Sequence, residues 1–378
     1  MMARRHMFAS LAVGAAAVLL MAGCSSGTGP AGSVGAGTSA PAAGSSSAPH
    51  GKLKIALANS FIGNGWRVEM ENVFKAACAM PPFSQQVDCS VYNSGNSVST
   101  QTQEINNLIA QHVDAIVLDA ASVSGLDGVV QQACDKGILV VSFDNVVDAK
   151  CALKVNTDQL KFGQELAQYL VDQLHGKGNV IMVTGVAGTG ANEQRNQGAK
   201  AVFDANPGIK IVATYSGQWD SATAQRETAA QLPSLPRIDG VWVQGGSDGV
   251  VKAFIAAHRP IPIFAGESEN GFRKYMAGIS KPQITAMSIG QPPFLSVMAL
   301  ELAREVLKGQ HARTDVMISF PKVTSDQVQV GKTVFPALSD SFFADFTDSG
   351  PNAHVILCQS AATQGTACPG TLTVRLGS

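Results

Sequence analysis

Short apolar runs alternate with longer stretches of helical periodicity from residue 53 to residue 308, and this alternation most constrains the fold. Runs of this length are typical of buried strands, and apolar residues at helical spacing are typical of amphipathic helices. Strands that alternate with helices form parallel sheets covered by helices on both faces. Because the pattern occurs in two successive blocks, the sequence predicts an α/β fold with two doubly wound parallel-sheet lobes.

The element boundaries follow from where each apolar run starts and where glycine or polar residues interrupt the pattern. The predicted strands cover residues 53–58, 87–92, 115–118, 138–143, 179–184, 209–214, 240–244, 261–265 and 284–288. The predicted helices cover residues 66–79, 99–112, 124–136, 157–175, 191–206, 221–232, 249–258, 271–277 and 293–308.

Charge and hydropathy exclude several classes of protein. The chain has 378 residues, and its 27 Lys and Arg nearly balance its 28 Asp and Glu. No cluster of basic residues interleaved with aromatics occurs, so nucleic-acid binding is not expected. The first apolar stretch is N-terminal, and no run of about 18 apolar residues follows it, which argues against a transporter with several spans.

The N-terminus carries the features of a secretory signal. Basic residues 4–6 precede an apolar stretch over residues 8–20, and Met21-Ala22-Gly23 then leads to Cys24. This site resembles the bacterial lipobox, so we expect a signal peptide over residues 1–23 and a lipidated Cys24. The alternative is an ordinary signal peptide with an incidental cysteine, since Met21 stands where Leu is preferred.

Residues 24–51 are expected to form a flexible linker. Of the 26 residues from 25 to 50, 24 are Ala, Gly, Ser, Thr or Pro, and such a chain buries too little apolar surface to fold. A lipidated cysteine followed by this linker would hold a folded domain at the extracytoplasmic face of the cell membrane.

Six cysteines remain when Cys24 is set aside, an even number typical of an exported, disulfide-bonded protein. Six cysteines allow 15 pairings. Sequential pairing closes short loops and is favoured: Cys78 with Cys89, Cys134 with Cys151, and Cys358 with Cys368. Zinc binding is the alternative, but C-x₂-C and neighbouring His spacings are absent from the sequence, so no metal site is expected.

Polar and aromatic residues follow nearly every predicted strand. In doubly wound sheets, ligands bind beyond the carboxyl ends of the strands. The segments found there are 59–67, 144–145, 185–195, 218–220, 245–248, 266–267 and 290–292. Two lobes with such edges would form a cleft whose hydrogen-bonding groups converge on a ligand.

Four of these segments carry short motifs that occur in a characteristic order along the chain. They are Asn64-Gly65-Trp66, Val141-Ser142-Phe143-Asp144, Gly185-Val186-Ala187-Gly188-Thr189 with Arg195, and Gly290-Gln291-Pro292. From about residue 53 to residue 321 the chain resembles the ribose-type (type 1) periplasmic sugar-binding proteins, the solute receptors of ABC importers. The resemblance implies two lobes joined by a three-strand hinge, over residues 52–156 plus 292–321 and residues 157–291 plus 322–378.

The resemblance also implies roles for individual residues. Trp66 and Trp219 would stack on the two faces of a sugar, unless they are ordinary core residues. Hydrogen bonds to the ligand would come from Asn64, Asp144, Arg195, Glu267 and Gln291. The chain departs from the family pattern at four positions, Arg67, Asn145, Gly245 and Glu267. Ligand contacts are also expected from Arg67, from Asn145 and, in place of Gly245, from Ser247 or Asp248.

A glycine-rich turn provides the main enzymatic alternative. Gly245-Gly246-Ser247-Asp248-Gly249 fits the G-x-S-x-G pattern of a nucleophile elbow, and Asp315 and His354 would complete a hydrolase triad in chain order. Against it, the oxyanion segment of such enzymes is missing upstream of the turn. The segment 185–190 fits neither G-x-G-x-x-G nor a P-loop, so no nucleotide or other cofactor is expected.

The favoured interpretation is a monomeric, lipid-anchored receptor that performs no chemistry. It would bind a small uncharged sugar or polyol in the cleft and deliver it to ABC permease subunits at the membrane. A chemoreceptor or signalling partner on the same fold remains a third class. Residues 327–378 are longer than the usual tail of the family and either cap the second lobe or serve a partner.

Replacement of Cys24 tests the anchor. The Cys24→Ala variant is expected to move from the membrane to the soluble or secreted fraction, because the acyl chains would be lost with the thiol. Fractionation followed by immunoblotting measures the distribution. A variant that stays membrane-bound with normal processing would show that Cys24 is not the anchor.

Overall fold

The computed structural model describes residues 51–310, 315–343, Asp345 and Val374. The signal peptide, Cys24 and most of the linker expected from the sequence lie outside these residues, as do Cys358 and Cys368. Within the described residues, no helix is long and apolar enough to cross a membrane.

The described residues form strands and helices that alternate along the chain. The strands are β1 (Leu53–Asn59), β2 (Val87–Asn93), β3 (Ala115–Asp119), β4 (Leu139–Phe143), β5 (Leu153–Thr157), β6 (Gly178–Thr184), β7 (Ile209–Ser216), β8 (Gly240–Val243), β9 (Ile263–Glu267), β10 (Ala286–Ile289), β11 (Asp315–Ile318) and β12 (Lys322–Thr324). The α-helices are α1 (Gly65–Cys78), α2 (Phe83–Gln86), α3 (Val98–Ala110), α4 (Asp127–Asp135), α5 (Gln159–Gln173), α6 (Gly190–Asp204), α7 (Ser221–Gln231), α8 (Ser247–Ala256), α9 (Asn270–Met276) and α10 (Leu295–Leu307).

Two six-stranded sheets define the two lobes, and they confirm the predicted fold class. The first has the order β11-β5-β4-β3-β1-β2, and its adjacent strands are parallel. The second has the order β12-β10-β9-β8-β6-β7 and is parallel except for β12, which runs antiparallel to β10. In each sheet the strand order reverses next to the first strand of the lobe, the position at which such folds bind ligands.

Each sheet is buried on both faces, which explains its nearly continuous apolar strands. Successive side chains of a strand point to opposite faces. In β1, Ile55 and Leu57 pack into one core while Ala56 and Ala58 pack into another. The second sheet is divided in the same way, with two further cores on its faces.

The chain passes between the sheets three times. It leaves the first sheet after β5 and enters α5, returns through residues 290–294 to α10, and crosses again between β11 and β12. Three of these strands are absent from the sequence prediction. They cover Leu153–Thr157, Asp315–Ile318 and Lys322–Thr324 and are short and partly exposed, so they lack the apolar runs that predict the other strands.

The described part of the segment after β12 makes most of its backbone and ionic contacts with the second lobe. Its backbone bonds to the start of α9, where Asn270 N donates to Phe342 O and Gly271 N donates to Asp340 O. The ion pair of Arg273 with Asp345 is completely buried, with a distance of 3.3 Å between Nη2 and Oδ1. This part of the extension therefore caps the second lobe, one of the two roles left open by the sequence.

Two disulfides occur in the described residues, and both lie in the first lobe. Cys78 at the end of α1 is joined to Cys89 in β2, and Cys134 in α4 is joined to Cys151 before β5. They close loops with sequence separations of 11 and 17 residues. Cross-links of this kind restrict the unfolded chain more than the folded chain.

Removal of one bridge tests its contribution. The Cys78→Ser/Cys89→Ser double variant is expected to lose about 2–4 kcal/mol of unfolding free energy, because the freed loop gains entropy in the unfolded state. Thermal denaturation of both proteins measures the loss. Under reducing conditions the two proteins should melt at the same temperature. A difference that persists after reduction would assign the loss to packing instead.

Candidate functional site

The carboxyl ends of strands from both lobes surround one cavity. Eight of the side chains proposed from the sequence line it, four from the first lobe, three from the second and one from a crossing segment. In that order they are Asn64, Trp66, Arg67 and Asp144, then Arg195, Trp219 and Glu267, then Gln291. Asn145, Ser247 and Asp248 are not among its lining residues, whereas Ala191 and Phe343 are.

Arg67 organises the side of the cavity that belongs to the first lobe. Asn64 caps α1 by accepting a hydrogen bond from Arg67 N at 2.9 Å, which fixes the start of the helix. The buried guanidinium then donates to Asn59 Oδ1 at 2.9 Å, pairs with the Asp119 carboxylate and lies 3.3 Å from Asp144 Oδ2. Burial lowers the pKa of Arg67, and the charge of Asp144 opposes this change.

Asp144 connects the first lobe to a crossing segment. It directly follows β4 with a φ of 56°, a left-handed conformation that few side chains adopt without compensation. Its carboxylate accepts hydrogen bonds from Asn145 Nδ2 at 2.9 Å and from Gln291 Nε2 at 2.8 Å. The orientation of this carboxylate is therefore set by three donors, including Arg67.

Trp66 and Trp219 approach the cavity from different lobes. The indole of Trp66 belongs to the core of the first lobe, and its Nε1 donates to Gln291 O at 2.6 Å. Trp219 Nε1 donates to Gln244 Oε1 at 3.0 Å. A Cβ at Gly185 would overlap the Trp219 indole, so the glycine at that position lets the ring lie against the backbone.

A second buried arginine organises the other side. Arg195 Nε donates to Gln159 Oε1 at 2.8 Å, and its Nη1 lies 3.2 Å from Glu267 Oε1. The guanidinium carbon lies 3.9 Å from the centroid of the Phe162 ring, in cation–π geometry. Burial raises the pKa of Glu267 well above its ordinary value, and the positive charge of Arg195 only partly offsets this rise.

The three remaining residues proposed from the sequence have other contacts. Asn145 Oδ1 accepts from Ala191 N at 3.0 Å and so joins the first lobe to the start of α6. Ser247 is completely buried, and its Oγ accepts from Glu267 N at 3.0 Å. Asp248 forms an ion pair with Lys252 at 2.5 Å beside a second cavity.

The contacts of Ser247 give no support to the hydrolase alternative. A nucleophile elbow exposes its hydroxyl, whereas this hydroxyl holds the end of β9. Asp315 lies in β11 of the first sheet, on the other lobe, and His354 lies outside the described residues. The described residues also contain no group of three His, Cys, Asp or Glu side chains that could hold a metal ion.

A family model described as a periplasmic binding protein domain matches residues 55–311. The chain belongs to this family. Among curated relatives, the xylitol-binding protein of Mycolicibacterium smegmatis is 27% identical over 310 residues, which is 79% of this chain and 85% of that protein. The ribose import binding protein of Bacillus subtilis is 24% identical over 229 residues, covering 60% of this chain and 73% of the relative.

Solved structures of periplasmic binding proteins share the fold. An ABC transporter solute-binding protein from Thermobispora bispora is 30% identical with a TM-score of 0.70, covering 86% of this chain and 100% of that one. A Mycobacterium smegmatis protein solved with β-D-fucofuranose is 22% identical with a TM-score of 0.66, covering 73% and 92%. The two lobes described above are therefore those of a type 1 periplasmic binding protein.

The buried Glu269 makes the folding stability of this binding protein depend on pH. Its Oε1 accepts from Gly246 N at 2.5 Å, while its Oε2 has no hydrogen-bond partner among the described residues. Burial, reinforced by the nearby Asp248 carboxylate, raises the pKa of Glu269 from 4.5 to about 7. The folded protein therefore binds this proton more tightly than the unfolded chain does.

The stability of the protein is expected to reflect this proton. The stabilising effect is complete below pH 4.5 and is lost as the pH rises through 7, since only the folded state holds the proton in that interval. Between pH 5 and pH 8 the unfolding free energy of the wild type should fall by about 2–3 kcal/mol relative to that of Glu269→Gln, because the variant lacks this proton. Denaturant titrations at several pH values measure this, and parallel pH profiles would contradict it.

Proposed function

We propose that this protein is the lipid-anchored solute-binding component of an ABC importer and that it binds an uncharged sugar or polyol between its lobes. The observation that carries the proposal is the cavity in which Trp66 and Trp219 come from different lobes, together with two buried arginines and their carboxylates. Relatives named for xylitol and ribose agree with a ligand of this class.

The chemistry of the lining suits a neutral molecule with many hydroxyl groups. Each arginine is already paired with carboxylate, so the site offers donors and acceptors without a large net charge. Asp144 and Glu267 can accept hydrogen bonds from hydroxyl groups, and Arg67 and Arg195 can donate them. Because protein contacts fix these groups before a ligand binds, little ordering entropy is lost on binding.

Binding would be coupled to closure of the two lobes. We assign residues 52–156 and 292–321 to the first lobe, and residues 157–291 and 322–378 to the second. A ligand that contacts Asp144 and Trp66 in one lobe and Arg195 in the other stabilises the closed form, since only that form makes both sets of contacts. The closed form would be the one recognised by the permease, and the protein itself would catalyse no reaction.

Calorimetry on a small panel tests the proposal. Thermal-shift measurements with xylitol, D-ribose, D-allose, L-arabinose and myo-inositol first select the best ligand, since a ligand at ~100 times its Kd adds ~2.7 kcal/mol of stability. Asp144→Ala should then weaken binding by about 30- to 1000-fold, because it leaves ligand hydroxyls without their acceptor and removes one of the three partners of Arg67. Trp66→Ala should also weaken binding, through lost apolar contact.

A matched control comes from a carboxylate outside the cavity. Asp158 is exposed and caps α5 by accepting from Lys161 N at 2.9 Å, so Asp158→Ala should leave ligand affinity unchanged. Ser247→Ala should change binding only modestly in a receptor. Unchanged affinity in both Asp144→Ala and Trp66→Ala, or no binding of any panel member, would reject the proposed site.

A further inference from the structure

Phe343 comes from the segment after β12, yet it lines the cavity between the lobes. Its side chain is buried in the core of the first lobe, in the same cluster as Trp66. Its backbone N donates to Glu69 Oε2 of α1 at 2.9 Å. On the other side it forms a β-bridge with Glu269 of the second lobe. Phe343 therefore contacts both lobes.

The residues around Phe343 are firmly held by the second lobe. Asn270 Nδ2 donates to the carbonyl oxygens of Phe335, Leu338 and Ser339 at 2.8–3.1 Å. Beyond Phe343, Asp345 pairs with Arg273 and accepts a hydrogen bond from Ser268 Oγ. With anchors on both sides, the ring has a fixed position and acts as part of the protein wall.

A second cavity lies beside the first. Its lining includes Gly65, Asp248, Lys252 and residues 339–341. Trp219 and Phe343 line both cavities. Side chains common to two neighbouring cavities form the partition between them, and half of this partition is supplied by the C-terminal segment.

We propose that Phe343 is a ligand-binding residue that ends the site and limits the ligand to one sugar ring or a five- or six-carbon polyol. The inference rests on the proposed function, since it concerns which sugars the cavity accepts. Without the phenyl ring, the two cavities would join into one elongated site. A ligand with a second sugar unit would then extend into the space beside Asp248 and Lys252, whose charges are paired and can bond hydroxyl groups.

Calorimetry with ligands of two lengths tests this. The probes are xylitol and D-ribose as single units, and maltitol as a glucosyl polyol of twice that size. Phe343→Ala should weaken binding of the better single unit by about tenfold or more and strengthen maltitol binding by a similar factor. Unchanged single-unit affinity together with no gain for maltitol would overturn the proposal.

Two further variants separate the ring from the fold of the segment. Phe343→Leu keeps a large apolar side chain at the partition and should retain the wild-type preference for single units. Phe342 is equally buried and packs on Phe335, with ring centroids 5.9 Å apart, but it lines a different cavity. Phe342→Ala should therefore keep the preference, and the same change in both alanine variants would overturn the proposal.

A ligand-free measurement distinguishes failure of this inference from failure of the proposed function. Trp66 and Trp219 line the cavity, whereas Trp242 is buried in the second lobe. Acrylamide should quench tryptophan fluorescence more strongly in Phe343→Ala than in Phe342→Ala, since only the first substitution opens the cavity. If no panel sugar binds the wild type, the proposed function fails, and the quenching result alone then supports or overturns the partition.

Discussion

The cation of Arg67 is buried where three parallel strands end, and the first lobe can hold it there only because each strand supplies a partner. Asn59 ends β1, Asp119 ends β3 and Asp144 follows β4, so the three acceptors arrive at one point through sheet topology alone. A guanidinium buried without them would carry an uncompensated charge, at a cost of several kcal/mol. The strand order of the sheet therefore determines whether the charge of Arg67 beside the cavity is compensated.

The second lobe meets the same requirement with different residues. Arg195 on α6 is held by Gln159 of α5, by the carbonyl of Gln244 after β8 and by Glu267 at the end of β9. The two lobes therefore face each other with one paired arginine each, flanked by one tryptophan each. Both arginines lie in the first two turns of the helix that follows the first strand of their lobe, Arg67 in α1 after β1 and Arg195 in α6 after β6. This symmetry therefore follows from the repeated strand–helix order.

The sequence is sufficient to predict the parts of this molecule that follow from periodicity and from position after a strand. Both sheets and eight cavity residues belong to this class. β5, β11 and β12 do not, because these strands are short and partly exposed and lack an apolar run. Phe343 is also beyond prediction, since it reaches the cavity through anchors more than 70 residues distant in sequence, such as Arg273 with Asp345. The G-x-S-x-G turn matches the sequence pattern of a nucleophile elbow, but its Ser247 is completely buried and follows Gly246, which has a φ of 73°.

The three crossings also affect how the chain reaches its folded state. α10, which comes late in the chain, supplies a large share of one core of the first lobe, including Leu295, Met298 and Leu300. β11 then completes the edge of that sheet. The first lobe begins at residue 53 but cannot complete its core until the chain is available as far as residue 318. Strands β6 to β10 of the second lobe are contiguous in sequence and can associate earlier, so the lobe that emerges first is the one that finishes last.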